Sequence, residues 1–147
     1  MTLIDPLSAD ELCIEISEVG AEALAPSRLA AQSPIRNGDP RITSQLISRD
    51  KLLAGVLRTH CFAVLEDDRV LARCQLYLQG AVAQIDHLYT DPAHPRQGFA
   101  RALVTHAAQA AGTETVFLLT DLADTPQSMY RQLGFRDAAV VYRFRCL

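Results

Sequence analysis

The residues best suited to chemistry lie in the run LYTDPAHPRQGFARAL (residues 88–103), where a strand pattern breaks into a turn and then enters an Ala-rich helix. A helix N-terminus exposes unpaired backbone N–H groups and carries partial positive charge, so it accepts an anionic oxygen where side chains leave room. Gly98 and Ala100 are the smallest residues at this point, and Arg96 and Arg101 add flanking positive charge. The segment therefore predicts a site for a phosphate group.

Spacing alone leaves a second interpretation of this segment open. Gly-x-Ala is a weak pattern that matches neither the dinucleotide-binding pattern GxGxxG nor the phosphate-loop pattern GxxxxGK[ST]. The same residues suit an ordinary strand-to-helix turn of an α/β protein, with Phe99 anchoring the turn in the core. The spacing favours neither interpretation over the other.

The longer run YTDPAHPRQGFARAL resembles the cofactor motif of the GNAT superfamily of N-acetyltransferases, in which a strand ending in Asp-Pro precedes [RQ]-x-x-G-x-[GA] and an Ala-Leu helix. The resemblance implies that the loop amides bind the pyrophosphate of acetyl-CoA. Pro95 departs from the motif, because it offers neither a side-chain donor nor an N–H where Arg or Gln is usual. We expect Arg96 or the remaining amides to make that contact. By position, the cofactor-binding residues are the strand end Leu88, Tyr89 and Thr90 and the loop Arg96, Gln97, Gly98, Phe99, Ala100 and Arg101.

A second run, ADTPQSMYRQLGF (residues 123–135), is similar to the fourth helix of the same family, which ends with Tyr, a short polar step and Gly-Phe. The resemblance implies that the hydroxyl of Tyr130 lies near the thioester sulfur. Asp124 or Thr125 stands near the place where the family often has Asn, so the resemblance implies a contact to the pantetheine arm there, for which Asp124 is the candidate. The two motifs together span residues 61–135.

Acetyl transfer to an amine requires a neutral amine, a polarised carbonyl and a proton for the departing thiolate. In the family, two central strands splay apart and a backbone N–H near a β-bulge stabilises the developing oxyanion, and the resemblance implies Leu88 or Tyr89 for that N–H. Tyr130 is the candidate acid, because a phenol with a pKa of about 10 keeps its proton at neutral pH. A tyrosine that only packs on the core is the alternative for Tyr130.

The resemblance implies a base on the strand before the loop, because family members often place a Glu there. The two-residue period puts Gln84 and Asp86 on one face of this strand. Because Gln84 does not usefully accept a proton, Asp86 is the candidate, acting directly or through water. A carboxylate that is merely paired or solvated fits Asp86 equally well. The same period turns His87 to the opposite face unless a bulge intervenes, which favours a packing or surface histidine over a role in proton transfer. The expected acceptor-site residues are Gln84 together with Gln75 and Tyr77, which share one face of the neighbouring strand.

The elements that position these residues follow from hydrophobic periodicity and turn residues. They predict a GNAT-like α/β (α+β) fold with a mixed, mostly antiparallel central sheet and flanking helices. In chain order we expect a strand over 12–16, helices over 21–32 and 46–57 around a loop over 33–41, and three antiparallel strands over 61–90. These are followed by a helix over 98–111 with Gly112 as its C-terminal cap, a parallel strand over 116–120, a helix capped by Thr125 and ending at Gly134, and a strand over 139–145.

Composition narrows the class of protein. The 147 residues, of which 49% are hydrophobic, suffice for one core, so we expect a single domain over 1–147. A formal net charge of −3 argues against nucleic-acid binding, and no apolar run reaches the roughly 18 residues of a membrane span. The four cysteines lie in apolar runs without a CxxC pair. We therefore expect reduced core cysteines, a cytoplasmic protein and no metal site.

The resemblance and the composition together predict direct transfer of an acetyl group from acetyl-CoA to a primary amine of a small molecule or peptide, without a covalent enzyme intermediate. Two alternatives stay open: transfer of another acyl group from CoA, and a catalytically silent acyl-CoA-binding or interaction module, which the Pro95 departure favours. A homodimer through the edge of the strand over 139–145 is a further expectation.

Overall fold

The computed structural model describes residues 1–4, 13–32, 39–121, 126–142 and 144. Its centre is an antiparallel meander of β3 (Arg58–Glu66), β4 (Arg69–Gln79) and β5 (Val82–Thr90). The remaining elements are β1 (Thr2–Leu3), β2 (Ser17–Val19), a 3₁₀-helix (Ala21–Leu24), α1 (Ala25–Gln32), α2 (Pro40–Val56), α3 (Phe99–Ala111), β6 (Thr115–Leu118), α4 (Gln127–Gln132) and β7 (Phe135–Arg136).

The described strands form one sheet in the order β2-β3-β4-β5-β6-β1-β7. β6 is parallel to β5, and the other neighbouring strands are antiparallel. Asp67 and Asp68 form the turn between β3 and β4, and both have positive φ, as a two-residue hairpin turn requires. The predicted mixed, mostly antiparallel sheet with its three-stranded centre is confirmed.

The main core lies between the sheet and α3. Leu103, Val104 and Ala107 of α3 are fully buried and belong to one cluster with Leu76 and Ile85 of the sheet. The helix ends at Gly112, whose left-handed φ of 57° is the predicted C-terminal cap. Burial of this helix face holds the N-terminus of α3 close to the end of β5, where the candidate anion site lies.

Three predictions about the N-terminal part need correction. Ile14 and Ile16 pack on the core without strand pairing, and the strand there begins at Ser17. The loop predicted over 33–41 extends too far, because α2 begins at Pro40 with the Asp39 carboxylate accepting a hydrogen bond from the Arg41 N–H. Residues 33–38 lie outside the described residues. The strand Thr2–Leu3 was not predicted, because two residues are too short for a period to show.

The predicted strand over 139–145 is wrong for the residues that the structure describes. Positions 139–142 and 144 have no strand assignment, and Tyr142 and Phe144 are 78% and 92% exposed. The place beside β6 is taken by β1, in which Thr2 pairs with Phe117 and with Arg136. Among the described residues, the alternating side chains of this segment have no partner strand. The expected homodimer used the edge of that strand, so it no longer has a structural basis.

The cysteines follow the prediction in part. Cys61 and Cys74 are buried and not joined in a disulfide, and burial raises the pKa of Cys74 to about 12. Cys13 is exposed, which corrects its placement in the core, and Cys146 lies outside the described residues. Over the described ranges, no helix is long and apolar enough to cross a membrane.

Candidate functional site

β5 extends beyond its pairing with β6. Their pairing runs from Val82 opposite Thr115 to Ile85 opposite Leu118, and β5 then continues to Thr90 without a described partner in β6. Just beyond β6, the hydroxyl of Thr120 is buried and has no hydrogen-bond partner among the described residues. The stretch of β5 that β6 leaves unpaired therefore offers an extended backbone edge to a ligand that carries amide groups, and Thr120 offers a hydroxyl.

Asp91 organises the turn that follows β5. Its carboxylate accepts a hydrogen bond from the Ala93 N–H at 2.9 Å and pairs with Arg69, and its carbonyl accepts from the His94 N–H at 2.9 Å. The hydrogen bond from Ala93 holds the pKa of Asp91 below its usual value. These contacts turn the chain away from the sheet and toward α3.

Gly98 caps the N-terminus of α3 with a φ of 78°, a left-handed conformation that favours glycine. Its carbonyl accepts the hydrogen bond from the Ala102 N–H at 3.0 Å, so the N–H groups of Phe99 and Ala100 lie in the first turn. Phe99 is buried and anchors this turn in the core, as the sequence predicts. The backbone thus has the geometry required for the predicted anion site.

The other predicted cofactor residues surround this turn. Arg96 has a φ of 60° and is exposed together with Gln97, whereas Ala100 and Arg101 are half-buried. The Arg101 guanidinium donates to the Gln132 side-chain oxygen at 3.0 Å, which ties α3 to α4. Leu88, Tyr89 and Thr90 are half-buried at the end of β5, and Asp124 lies outside the described residues.

Tyr130 lies on α4 and is buried in the main core. Its ring meets Phe135 edge to face with the ring centroids 6.2 Å apart, and its N–H donates to the Pro126 carbonyl at 3.0 Å. The ring position is therefore well determined by packing. The proposed approach of its hydroxyl to a thioester sulfur stays a prediction.

A β-bulge interrupts β5 in its pairing with β4. The register shifts between Arg73 and Gln75, which places His87 and Leu88 in the bulge, and His87 has a φ of 54°. The extra residue turns His87 to the face that carries Asp86 and turns Leu88 to the main core. The preference for a His87 that points away from Asp86 is therefore wrong. The bulge that the resemblance implied is present.

A buried polar network lies on this face and joins β4 and β5 to α1 and α2. Arg28 and Asp50 form an ion pair between the helices, with their side chains 4% and 5% exposed. The Arg28 guanidinium also lies 3.5 Å from the Gln75 side-chain oxygen and 3.4 Å from each ring nitrogen of His87. The Tyr77 hydroxyl donates to the Gln75 oxygen at 3.1 Å, and burial raises the pKa of Tyr77 to about 12. Tyr77 therefore keeps its proton at neutral pH.

Arg73 holds the bulge in place. Its Nη1 donates to the His87 carbonyl at 2.7 Å and its Nε donates to the Ser27 hydroxyl at 2.8 Å. The guanidinium carbon also lies 5.1 Å from the centre of the Tyr89 ring. Burial lowers the pKa of Arg73 to about 10, so the side chain stays charged at neutral pH.

The predicted acceptor residues come together, but their accessibility differs. The Gln84 amide donates to the Asp86 carboxylate at 3.4 Å, which confirms that the two share a face. The Asp86 side chain is 44% exposed, whereas Gln75 and Tyr77 are buried. Gln75 and Tyr77 therefore support the site from beneath, and Asp86 is the more accessible group.

Sequence reasoning missed Arg28, Asp50 and Arg73. Arg28 and Asp50 are isolated charges in amphipathic helices. A sequence pattern cannot distinguish such a buried charge from one on the solvent-exposed face of the helix. Arg73 carried a usable signal, because it is a charge between apolar neighbours in the strand run VLARCQL. A charge at such a position is buried only when it is paired or hydrogen-bonded.

A surface cavity of about 220 Å³ lies on the α1 side of the sheet. Ser27 and Tyr89 line it, and both also contact Arg73. Asp68 and Asp91 contribute carboxylates to the same lining. The cavity is thus adjacent to the polar network through Arg73.

Residues 58–137 match the family model of the acetyltransferase (GNAT) domain. The match covers more than half of the chain and includes the β5–α3 loop, the bulge and α4. The chain belongs to the GNAT acetyltransferases. Acyl transfer is accordingly the reaction class of this acetyltransferase. No curated protein sequence matches the chain.

Several solved structures share the fold of this GNAT acetyltransferase. An acetyltransferase of Trypanosoma brucei is 19% identical, with a TM-score of 0.68 over 90% of this chain and 99% of that one. A ribosomal-protein-alanine N-acetyltransferase of Brucella melitensis is 18% identical, with a TM-score of 0.62 over 90% and 99%. An aminoglycoside acetyltransferase from an uncultured soil metagenomic sample, in complex with sisomicin, is 21% identical, with a TM-score of 0.68 over 91% and 96%. At these identities the similarity establishes the fold.

Proposed function

We propose that the chain is a single N-acetyltransferase domain that moves the acetyl group of acetyl-CoA directly to a primary amine. The observation that carries the proposal is the position of the left-handed Gly98 turn at the start of α3. This turn follows the part of β5 that β6 leaves unpaired. The Gly98 turn suits a diphosphate, and the unpaired edge of β5 suits the amides of a pantetheine arm. Membership of the GNAT family supports the combination.

The described residues fit acetyl-CoA as the acetyl donor. Gly98 has no Cβ at a φ of 78°, which leaves the first-turn N–H groups of α3 open to phosphate oxygens. Arg96 stands next to Pro95 and supplies the charge that Pro95 lacks. The edge of β5 at Leu88, Tyr89 and Thr90 is extended and half-buried, so it suits pairing with the pantetheine amides. Acetyl-CoA contributes an activated thioester.

The proposed roles at the reacting centre follow from position. The backbone N–H of Leu88 or Tyr89, at and beyond the bulge, stabilises the negative charge that develops on the carbonyl oxygen. Tyr130 protonates the departing thiolate of CoA. In the simplest form of the proposal, Asp86 takes the proton from the amine, directly or through water, because it is partly exposed on the face of the polar network.

The acceptor is proposed to be a small molecule or a peptide with a primary amine. Two proteins that share this fold are an aminoglycoside acetyltransferase and a ribosomal-protein-alanine N-acetyltransferase. The Asp86 carboxylate is 44% exposed on the face of the polar network, and it attracts a cationic amine. A suitable first panel consists of sisomicin, spermidine and a peptide with an N-terminal alanine.

Two measurements test the proposed function. Calorimetry with acetyl-CoA should give a saturable heat, and absence of heat at millimolar concentration would contradict the cofactor assignment. Thiol release from acetyl-CoA should then depend on at least one amine of the panel. Binding of acetyl-CoA without turnover of any amine would indicate the silent binding module. A higher kcat/KM with propionyl-CoA than with acetyl-CoA would indicate a different acyl donor.

Replacing Gly98 with valine is expected to raise the Kd for acetyl-CoA about tenfold or more, which corresponds to about 1.4 kcal/mol. A β-branched residue is strained at a φ of 78°, and its side chain crowds the open N–H groups of α3. Calorimetry on the purified variant measures the change.

The matched control is Gly112→Val at the other end of the same helix, where φ is 57° and the space around a Cβ is open. This variant should lose a comparable amount of thermal stability and keep its affinity for acetyl-CoA. An equal loss of affinity in both variants would mean that Gly98 acts only through folding.

A further inference from the structure

We infer that His87, rather than Asp86, takes the proton from the acceptor amine, an assignment that rests on the acetyl transfer proposed above. The β-bulge carries the first argument. It places the His87 side chain on the face of Asp86 and Tyr77, with the Tyr77 and His87 ring centroids 6.3 Å apart. His87 is also next in sequence to Leu88, one of the two candidates for the oxyanion N–H. The imidazole is thus close along the chain to the expected position of the reacting carbonyl.

His87 is accessible, as a base must be, although less so than Asp86, whose side chain is 44% exposed. The side chain of His87 is 20% exposed, whereas Arg28, Asp50, Arg73 and Gln75 are all buried. Among these five residues, His87 therefore has the most exposed side chain and is the one that a ligand can contact. A base must come within hydrogen-bond reach of the amine, and a partly exposed imidazole meets that condition.

The groups that face His87 come from every element packed against it. They are Arg28 of α1, Asp50 of α2, Arg73 and Tyr77 of β4, and Asp86 of β5. Burial lowers the pKa of His87 from its ordinary value of about 6.5, and the charges of Arg28 and Arg73 act in the same direction. The ring is therefore neutral at pH 7. A neutral imidazole retains a nitrogen lone pair, and its basicity suits proton transfer near neutral pH better than that of a carboxylate.

Two carboxylates partly offset the effect of burial and of the neighbouring guanidinium groups on the imidazolium that forms. The His87 Nε2 lies 3.9 Å from an Asp50 oxygen and 4.0 Å from an Asp86 oxygen, so two carboxylates face the new charge. The other Asp86 oxygen accepts a hydrogen bond from the His87 backbone N–H at 2.6 Å. Asp86 is thereby a positioning residue that holds the bulge and offsets the charge on His87.

The complete step balances as follows. The amine nitrogen forms a bond to the thioester carbonyl carbon, and the carbon–sulfur bond breaks with its electron pair going to sulfur. One amine proton passes to a ring nitrogen of His87, and the Tyr130 hydroxyl gives its proton to the sulfur of CoA. Solvent then carries a proton from His87 to Tyr130. The products are the N-acetylated amine and CoA with a free thiol.

The test compares His87→Asn with Asp86→Asn. Asparagine is suited to position 87 because it tolerates positive φ better than most residues and cannot take up a proton. We expect kcat/KM for the best amine of the panel to fall about 100-fold in His87→Asn at pH 7. Asp86→Asn should lose less, because it removes only one of two carboxylates that face the ring.

The dependence of kcat/KM on pH separates catalysis from structure. In the wild-type protein the rate should fall as pH drops through the pKa of His87, below about 6.5, because the base becomes protonated. This limb should persist in Asp86→Asn and vanish in His87→Asn, with both variants folded at the assay temperature and their heat of acetyl-CoA binding unchanged. A limb that persists in His87→Asn, or wild-type activity of that variant, overturns the assignment.

Failure of the proposed function gives a different result. A wild-type protein that binds no acetyl-CoA, or binds it and acetylates no amine, overturns both the acetyl transfer and the role of His87. A different outcome is that the wild-type protein acetylates an amine and the acid limb is lost in Asp86→Asn but not in His87→Asn. In that case the proposed function stands, and Asp86 is the base.

Discussion

Replacing Tyr130 with phenylalanine is expected to lower kcat about 100-fold while the Kd for acetyl-CoA changes little. The substitution removes the hydroxyl proposed to protonate the CoA thiolate, and it keeps the ring that packs edge to face on Phe135. Because the ring is buried in the core, a phenylalanine fits the same space. Steady-state thiol release with a saturating amine measures the effect.

Tyr142 provides a matched control for this substitution, since it is exposed and lies outside the site. Tyr142→Phe should have the kcat of the wild-type protein. Equal kcat values for Tyr130→Phe and the wild type would mean that Tyr130 is a core residue and that solvent protonates the thiolate. A large loss of stability in Tyr130→Phe would point instead to a structural hydrogen bond of its hydroxyl.

Replacing Asp50 with asparagine is expected to lower the free energy of unfolding by about 3–5 kcal/mol. The Asp50 carboxylate neutralises Arg28 between α1 and α2, where both side chains are almost fully buried. Without it, the guanidinium remains charged in an environment from which water is excluded, and its other contacts are the amide of Gln75 and the ring of His87. Urea denaturation at neutral pH measures the change.

The exposed pair of Arg131 and Asp137 provides the comparison, with side chains 49% and 69% exposed. Asp137→Asn should cost at most about 1 kcal/mol, because water screens an exposed pair. The double variant Arg28→Met and Asp50→Leu should be more stable than Asp50→Asn, since it removes both charges. If Asp50→Asn costs no more than Asp137→Asn, the buried pair contributes little to stability.

The two substitutions address different parts of one site. Tyr130 belongs to the half formed by α3, α4 and the ends of β5 and β6, which the family motifs cover. Asp50 belongs to the half formed by α1, α2 and the bulge, which no motif in the sequence marks. We call the first the donor half, because it is proposed to hold acetyl-CoA, and the second the acceptor half, because the proposed base lies on it.

The sequence by itself determined the donor half. The turn at Gly98, the cap at Gly112 and the order of strands after Cys61 depend on short-range preferences: the positive φ that glycine tolerates, and apolar periods of 2 and 3.6 residues. Such preferences act over a few residues, so they can be read from a local run. The roles proposed for Tyr130 and Asp86 come from the family resemblance and await the experiments described above.

Only the tertiary structure decided the acceptor half. The bulge at His87 exists because β4 and β5 pair out of register, and a period of two cannot reveal a slip between strands. Arg28 and Asp50 meet because two helices pack on the sheet. The alternation over 139–145 predicted a strand that the described residues do not form, because alternation alone does not supply a neighbouring strand to pair with. Contacts between residues distant in sequence depend on which elements become neighbours, and local patterns do not contain that information.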